Sequence, residues 1–137
     1  MSEAPDKIVS QWKPAPTGVD EQATILLQNC ENQMATVALT MHSKQPKRAM
    51  ISLEKGYIEI MEFPRADKAV ITDAVTGEKA EVLAGKTADA LVYEMEDMES
   101  AIKARDEQVM QLDYSRDVMN IMTLLREQWG LRYPEEE

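Results

Sequence analysis

The sequence predicts an α+β domain: an open, mostly antiparallel β-sheet of six to seven strands, with two C-terminal helices packed on one face. Three observations carry that prediction. Up to residue 83, apolar and polar residues alternate in short runs, the two-residue period of strands. The breaks between runs are too short for crossover helices, so neighbouring strands pair antiparallel. From residue 87 onward, the apolar residues recur at helical spacing instead.

Residues 1–6 are read as a loose N-terminus, 7–134 as a single domain and 135–137 as an acidic tail. In Lys7–Lys13, Ile8, Ser10 and Trp12 alternate with Val9, Gln11 and Lys13. Pro14 and Pro16 stop this strand, because proline gives no hydrogen bond to a ladder. Thr17-Gly18-Val19-Asp20 reads as a turn. Glu21–Gln28 forms the second strand, with Ala23, Ile25 and Leu27 on one side. The loop Asn29-Cys30-Glu31-Asn32-Gln33 follows, and Asn32 can take its left-handed position.

The stretch 35–60 is the platform of the sheet. Ala35, Val37, Leu39 and Met41 share one side, and Thr36, Ala38, Thr40 and His42 the other. Ser43–Pro46 breaks the pattern. Ala49, Ile51 and Leu53 resume it in Lys47–Leu53, Glu54-Lys55-Gly56 turns with Gly56 expected at positive φ, and Tyr57–Glu62 returns. Pro64 closes this hairpin. Lys68–Asp73 and Glu78–Leu83 form another around Ala74-Val75-Thr76-Gly77.

The first helix carries Ala88, Leu91, Val92, Met95, Met98 and Ile102 as its stripe, with Thr87 as N-cap. A polar connection over 104–112 leads to the second. Asp113 or Ser115 is expected to cap that helix, with Asp117 near its positive end. Val118, Ile121, Met122, Leu125 and Trp129 form its stripe. Gly130 ends it in left-handed conformation, Leu131 folds back, and Pro134 forbids resumption.

Composition narrows the function. One domain of 137 residues buries roughly 68% of the surface its unfolded chain exposes. The formal charge of −10 speaks against nucleic acid, whose binding needs a basic footprint, and against an anionic membrane surface. No stretch of about 18 apolar residues and no export leader is present, so no membrane partner is expected. One cysteine, Cys30, cannot form an internal disulfide, which fits a reducing, cytoplasmic setting.

The search for chemistry returns mostly bland readings. No G-x-G-x-x-G opens a helix, so the turn that receives a dinucleotide pyrophosphate is missing. Gly85-Lys86-Thr87 resembles the end of a phosphate loop, but Ala80 stands where its first glycine belongs, and a helix start is the favoured reading. His42 is the single histidine and has no companion in sequence, so a solvated strand residue is favoured over a general base. Cys30 has no basic neighbours to activate it. Glu94, Glu96, Asp97 and Glu99 read as a solvated helix face rather than a metal site. No catalytic, cofactor-binding or metal-ligating residue is assigned.

One feature rises above this level. Thr24, Leu26, Thr36, Ala38 and Thr40 lie on strand faces opposite the apolar side. They are small or uncharged, unlike the lysines and glutamates of a freely solvated sheet. Such a face meets another sheet or subunit, so these five residues form the expected subunit interface, and a homodimer or other association through the sheet face is expected.

Thr17-Gly18-Val19-Asp20-Glu21, Asn32-Gln33-Met34-Ala35-Thr36 and Lys55-Gly56-Tyr57-Ile58-Glu59-Ile60, in that order, resemble the C-terminal domain of the glucose–fructose oxidoreductase / inositol dehydrogenase / MocA family. Asp113-Tyr114-Ser115 through Trp129-Gly130-Leu131-Arg132-Tyr133-Pro134-Glu135 is similar to its closing helix and tail, closest to the dihydrodiol or xylose dehydrogenase branch. Asn32 departs from the glycine usual there. The resemblance implies an NAD(P)-dependent sugar or diol oxidoreductase whose Rossmann domain, catalytic lysine and glycine-rich helix would precede this chain. It also implies that the open sheet mediates subunit association and walls the substrate site. On that reading the chain alone holds no cofactor and transfers no hydride. The alternatives are a stand-alone oligomerisation or interaction module, or a small-ligand-binding module.

Overall fold

The computed structural model describes residues 3–105 and 110–133, so the expectations for Pro134 and the acidic tail lie outside the described residues. Among the described residues the chain is α+β, with seven strands, all pairing antiparallel, followed by two α-helices. The strands are β1 (Lys7–Pro14), β2 (Asp20–Gln28), β3 (Met34–Thr40), β4 (Arg48–Leu53), β5 (Gly56–Met61), β6 (Lys68–Asp73) and β7 (Lys79–Leu83). The helices are α1 (Ala90–Ala104) and α2 (Leu112–Trp129).

The strands expected in one sheet divide between two, ordered β1-β2-β3 and β4-β5-β6-β7. Residues 41–47 between them form no strand, so the alternation that runs through both halves is not continuous pairing. The chain correspondingly splits into two compact units, Met1–Lys44 with Gln111–Glu137, and Gln45–Met110.

In the first unit, register aligns Ile8, Leu27 and Ala35, then Ser10, Ile25 and Val37, then Trp12, Ala23 and Leu39 on one face. α2 closes this face at its C-terminal end. Trp129 stacks on Trp12 with ring centroids 5.3 Å apart and planes 13° apart. Its indole Nε1 donates to Ser10 Oγ at 2.9 Å, and Ser10 Oγ donates to Gln128 Oε1 at 3.3 Å. Offset aromatic pairs of this kind add about 0.5–1.5 kcal/mol to the area they bury. The expected stripe of α2 is narrower than its spacing implied. Leu125 is buried and Ile121 and Trp129 half-buried, while Val118 and Met122 are exposed. Three strands are only about 10 Å wide, so one line of the helix suffices to meet them.

Both ends of α2 can be read physically. Gly130 at φ 64 donates to the carbonyls of Arg126 and Glu127, and Leu131, buried, donates to Arg126 O at 2.9 Å. This is the expected left-handed end. The start differs from expectation: the helix begins at Leu112, one residue before Asp113, with Gln111 at φ 49 as its cap residue. Asp113 therefore lies inside the first turn and pairs with Arg116, helping through the dipole rather than as a cap.

The hairpin loops are set by side chains. Asn29, 2% exposed, accepts from the backbone N–H of Glu31 at 3.1 Å and of Gln33 at 2.9 Å, and donates Nδ2 to Gln33 Oε1 at 3.0 Å. Asn32 takes the expected positive φ, 60. In the second unit, Asp73 Oδ1 accepts from the N–H groups of Val75 and Thr76, both at 2.8 Å, with Gly77 at φ 71.

Gly56 corrects an expectation. It is not among the positive-φ residues. Its glycine is required by close approach instead: a Cβ there would stand 2.1 Å from the carbonyl oxygen of Thr72 on β6.

Candidate functional site

The five residues expected at an interface, Thr24, Leu26, Thr36, Ala38 and Thr40, fall on one face of the three-stranded sheet, opposite the one α2 closes. Register places Leu26 beside Thr36 and Thr24 beside Ala38. Thr24, Leu26, Thr36 and Ala38 are exposed. Thr40 is half-buried, and its hydroxyl accepts from the N–H of Ser43 at 3.3 Å.

Register also adds residues that strand-by-strand reading left unassigned. Val9 pairs with Leu26, Gln11 with Thr24, and Met34 with Gln28, so all three join this face. Val9 and Met34 are exposed. The alternation within β1 was visible in the sequence, but which of its sides joins which side of β2 depends on pairing. The rows from Lys7 to Lys13 carry no carboxylate on this face, in a chain of net charge −10. Lys7 and Lys13 stand at its margin. A second copy of the same face therefore meets no concentrated like charge.

The remaining sequence candidates are not brought into a catalytic arrangement. His42 gains a companion that the sequence did not reveal, because its Nε2 lies 3.5 Å from Glu21 Oε2. Glu21 is also paired with Lys13, and the hydrogen bond from Lys13 holds its carboxyl below the usual range. His42 and Lys13 are exposed, so the trio is a polar cluster at the surface that encloses no substrate volume.

Gly85-Lys86-Thr87 is occupied from within. The Thr87 hydroxyl donates to Arg65 O at 2.8 Å and Asp67 Oδ2 at 3.0 Å, and the Thr87 N–H points to the same carboxylate at 3.4 Å. Asp67 thus takes the hydrogen bonds that Thr87 has to offer, and its bond from the Thr87 hydroxyl lowers its pKa. Thr87 accordingly does not cap a helix as expected. It opens a short 3-10 turn, Thr87–Asp89, ahead of α1. Glu94, Glu96, Asp97 and Glu99 are exposed, Glu99 is paired with Lys103, and no metal-binding cluster occurs among the described residues. Cys30 is exposed.

A cavity of about 730 Å³ lies on the four-stranded sheet, between Glu59, Met61 and Val70 on the strands and Lys47, Glu62 and Arg65 around them. Its charges are of both signs. Among the described residues, no helix is long and apolar enough to cross a membrane. Comparison with protein-family models and with curated proteins finds no match.

Proposed function

We propose that this chain is the substrate-side and subunit-associating domain of an NAD(P)-dependent sugar or diol oxidoreductase of the glucose–fructose oxidoreductase / inositol dehydrogenase / MocA type, and that it acts in a reducing, cytoplasmic setting. The observation that carries this reading is the exposed, uncharged face of the three-stranded sheet, with Leu26, Thr36, Thr24 and Ala38 at its centre. A solvated face of an acidic protein would place carboxylates there. This one presents β-branched and apolar side chains that a homodimer partner buries.

By itself the chain transfers no hydride, because hydride transfer needs a docked nicotinamide and a group that moves the hydroxyl proton. Titration of NADH and NADPH against the purified chain, followed by assays with sugars and polyols, tests this. The expected result is no saturable binding and no turnover, and micromolar cofactor binding with turnover overturns it. For association, Thr36→Lys and Ala38→Lys are expected to weaken self-association at least tenfold with unchanged circular dichroism. Unchanged association overturns the assignment to this face.

The cavity beside Arg65 favours a second reading, a small-ligand module. A polyol or sugar that fills it raises the melting temperature through linkage, and Arg65→Ala removes that shift.

A further inference from the structure

The cavity on the four-stranded sheet has a rim that internal hydrogen bonds fix at several points. Glu62 stands at φ 52 and ψ 41, a left-handed conformation that few residues other than glycine and asparagine adopt. Backbone held in this way gathers where a side chain is positioned for a ligand. The Glu62 N–H donates to Lys47 O at 2.6 Å, and Glu62 O accepts from the Arg65 N–H at 3.0 Å. Pro64 lies in the short 3-10 turn Phe63–Arg65 and stiffens it. The Thr87 hydroxyl holds Arg65 O, and the Ala84 N–H donates to Asp67 O at 2.9 Å. A rim set beforehand lowers the ordering cost of binding.

This rim and its floor present charge without internal partners. Lys47, Glu59, Glu62 and Arg65 all line the cavity, and among the described residues none of the four side chains makes a hydrogen bond or ion pair. Lys47, Glu62 and Arg65 are exposed, whereas Glu59 is half-buried in the middle of β5. Its neighbours across the sheet are Met50 and Val70. The cations diagonal to it do not reach it: Lys68 pairs with Glu81, and Arg48 makes no ion pair among the described residues. A carboxylate between two apolar neighbours loses part of its hydration, and a cation brought by a ligand restores what is lost.

Two unpaired cations and two unpaired carboxylates around one volume restrict what fits. A ligand of a single sign meets like charge in half of them. A neutral polyol finds donors and acceptors but neutralises neither sign. We propose that the cavity binds a small zwitterion of the α-amino acid class, with Arg65 taking its carboxylate, Glu59 its ammonium, and Met61 and Val70 an aliphatic side chain. The planar fork of Arg65 suits a carboxylate, and an ammonium offers Glu59 three donors. The volume, about 730 Å³, lies within the range of about 300–1,000 Å³ usual for small-molecule sites. Such binding rests on the second reading above, that this cavity is a small-ligand site, and it uses no residue of the three-stranded sheet.

NMR titration of the full chain at neutral pH with L-norleucine, hexanoate, pentylamine and sorbitol tests it. Hexanoate lacks the ammonium and pentylamine the carboxylate, while both keep an apolar chain. L-Norleucine is expected to shift the amide signals of Glu59, Glu62 and Arg65 saturably. Its Kd is expected to lie at least about tenfold below that of every other probe, the worth of one charge-assisted hydrogen bond. Glu59→Gln should raise the norleucine Kd to that of hexanoate without weakening hexanoate, and Arg65→Gln should raise it to that of pentylamine. Arg65 is exposed, so its variant decides the matter even where Glu59→Gln disturbs the strand. Sorbitol, hexanoate or pentylamine binding as tightly as norleucine overturns the zwitterion and leaves the small-ligand reading standing. Saturation by none of the four probes overturns both. Norleucine binding that neither substitution weakens also overturns the proposal.

Discussion

Gly56, at the start of β5, lies against the backbone of Thr72 on β6. A methyl group on Gly56 would collide with the Thr72 carbonyl. The Thr72 side chain is itself buried, and its Oγ1 has no hydrogen-bond partner among the described residues. A buried hydroxyl without a partner costs free energy that an isosteric methyl does not. Thr72→Val is therefore expected to stabilise the chain by about 1 kcal/mol in urea unfolding, and a destabilised variant would contradict the assignment. Asn29 is the opposite case, a buried amide whose oxygen and nitrogen are both hydrogen-bonded. Asn29→Ala leaves the N–H groups of Glu31 and Gln33 without their acceptor and is expected to cost about 1–3 kcal/mol. Neither residue was legible in the sequence. Asn32 was, because a left-handed turn position selects its residue type locally, whereas the roles of Asn29, Gly56 and Thr72 depend on what the partner strand or loop presents.

The hairpins and helix ends were largely legible, since turn chemistry and periodicity are local. Gly130 ending α2 and the turn over 74–77 needed only neighbouring residues. What escaped was set by longer reach. The split into two sheets depends on which edges pair, and Thr87 leaves its expected capping role because Asp67, twenty residues earlier in the chain, takes its hydroxyl. Two of these elements carry a pH dependence. The N–H groups of Thr76 and Val75 lower the pKa of Asp73, as the Thr87 hydroxyl does for Asp67. A carboxyl lowered in the folded state contributes stability that is complete above the unfolded value, about 4, and is lost as pH falls through the lower folded value. The melting temperature is thus expected to hold from neutral pH to about 5 and decline below about 4. Asp73→Asn should flatten that decline, and an acid profile unaltered by this substitution would contradict the role given to Asp73.

At the scale of the whole molecule, each of the two sheets carries exposed apolar side chains, among them Val9 and Met34 on one and Ile51 and Ile71 on the other. The uncharged face around Thr36 was visible in the sequence as a run of small and β-branched residues where charge belongs. The aliphatic face around Ile71 was visible only as alternation, which in a self-sufficient domain marks the core. No local pattern encodes the separation of the strands into two sheets. The face around Thr36 leads to one expectation: the functional particle contains more than one copy. Sedimentation velocity of the unmodified chain at micromolar concentration, in low and in high salt, measures this most directly. The account predicts a species of at least twice 15.5 kDa, more populated in high salt. A single 15.5 kDa species at every concentration and ionic strength would contradict it.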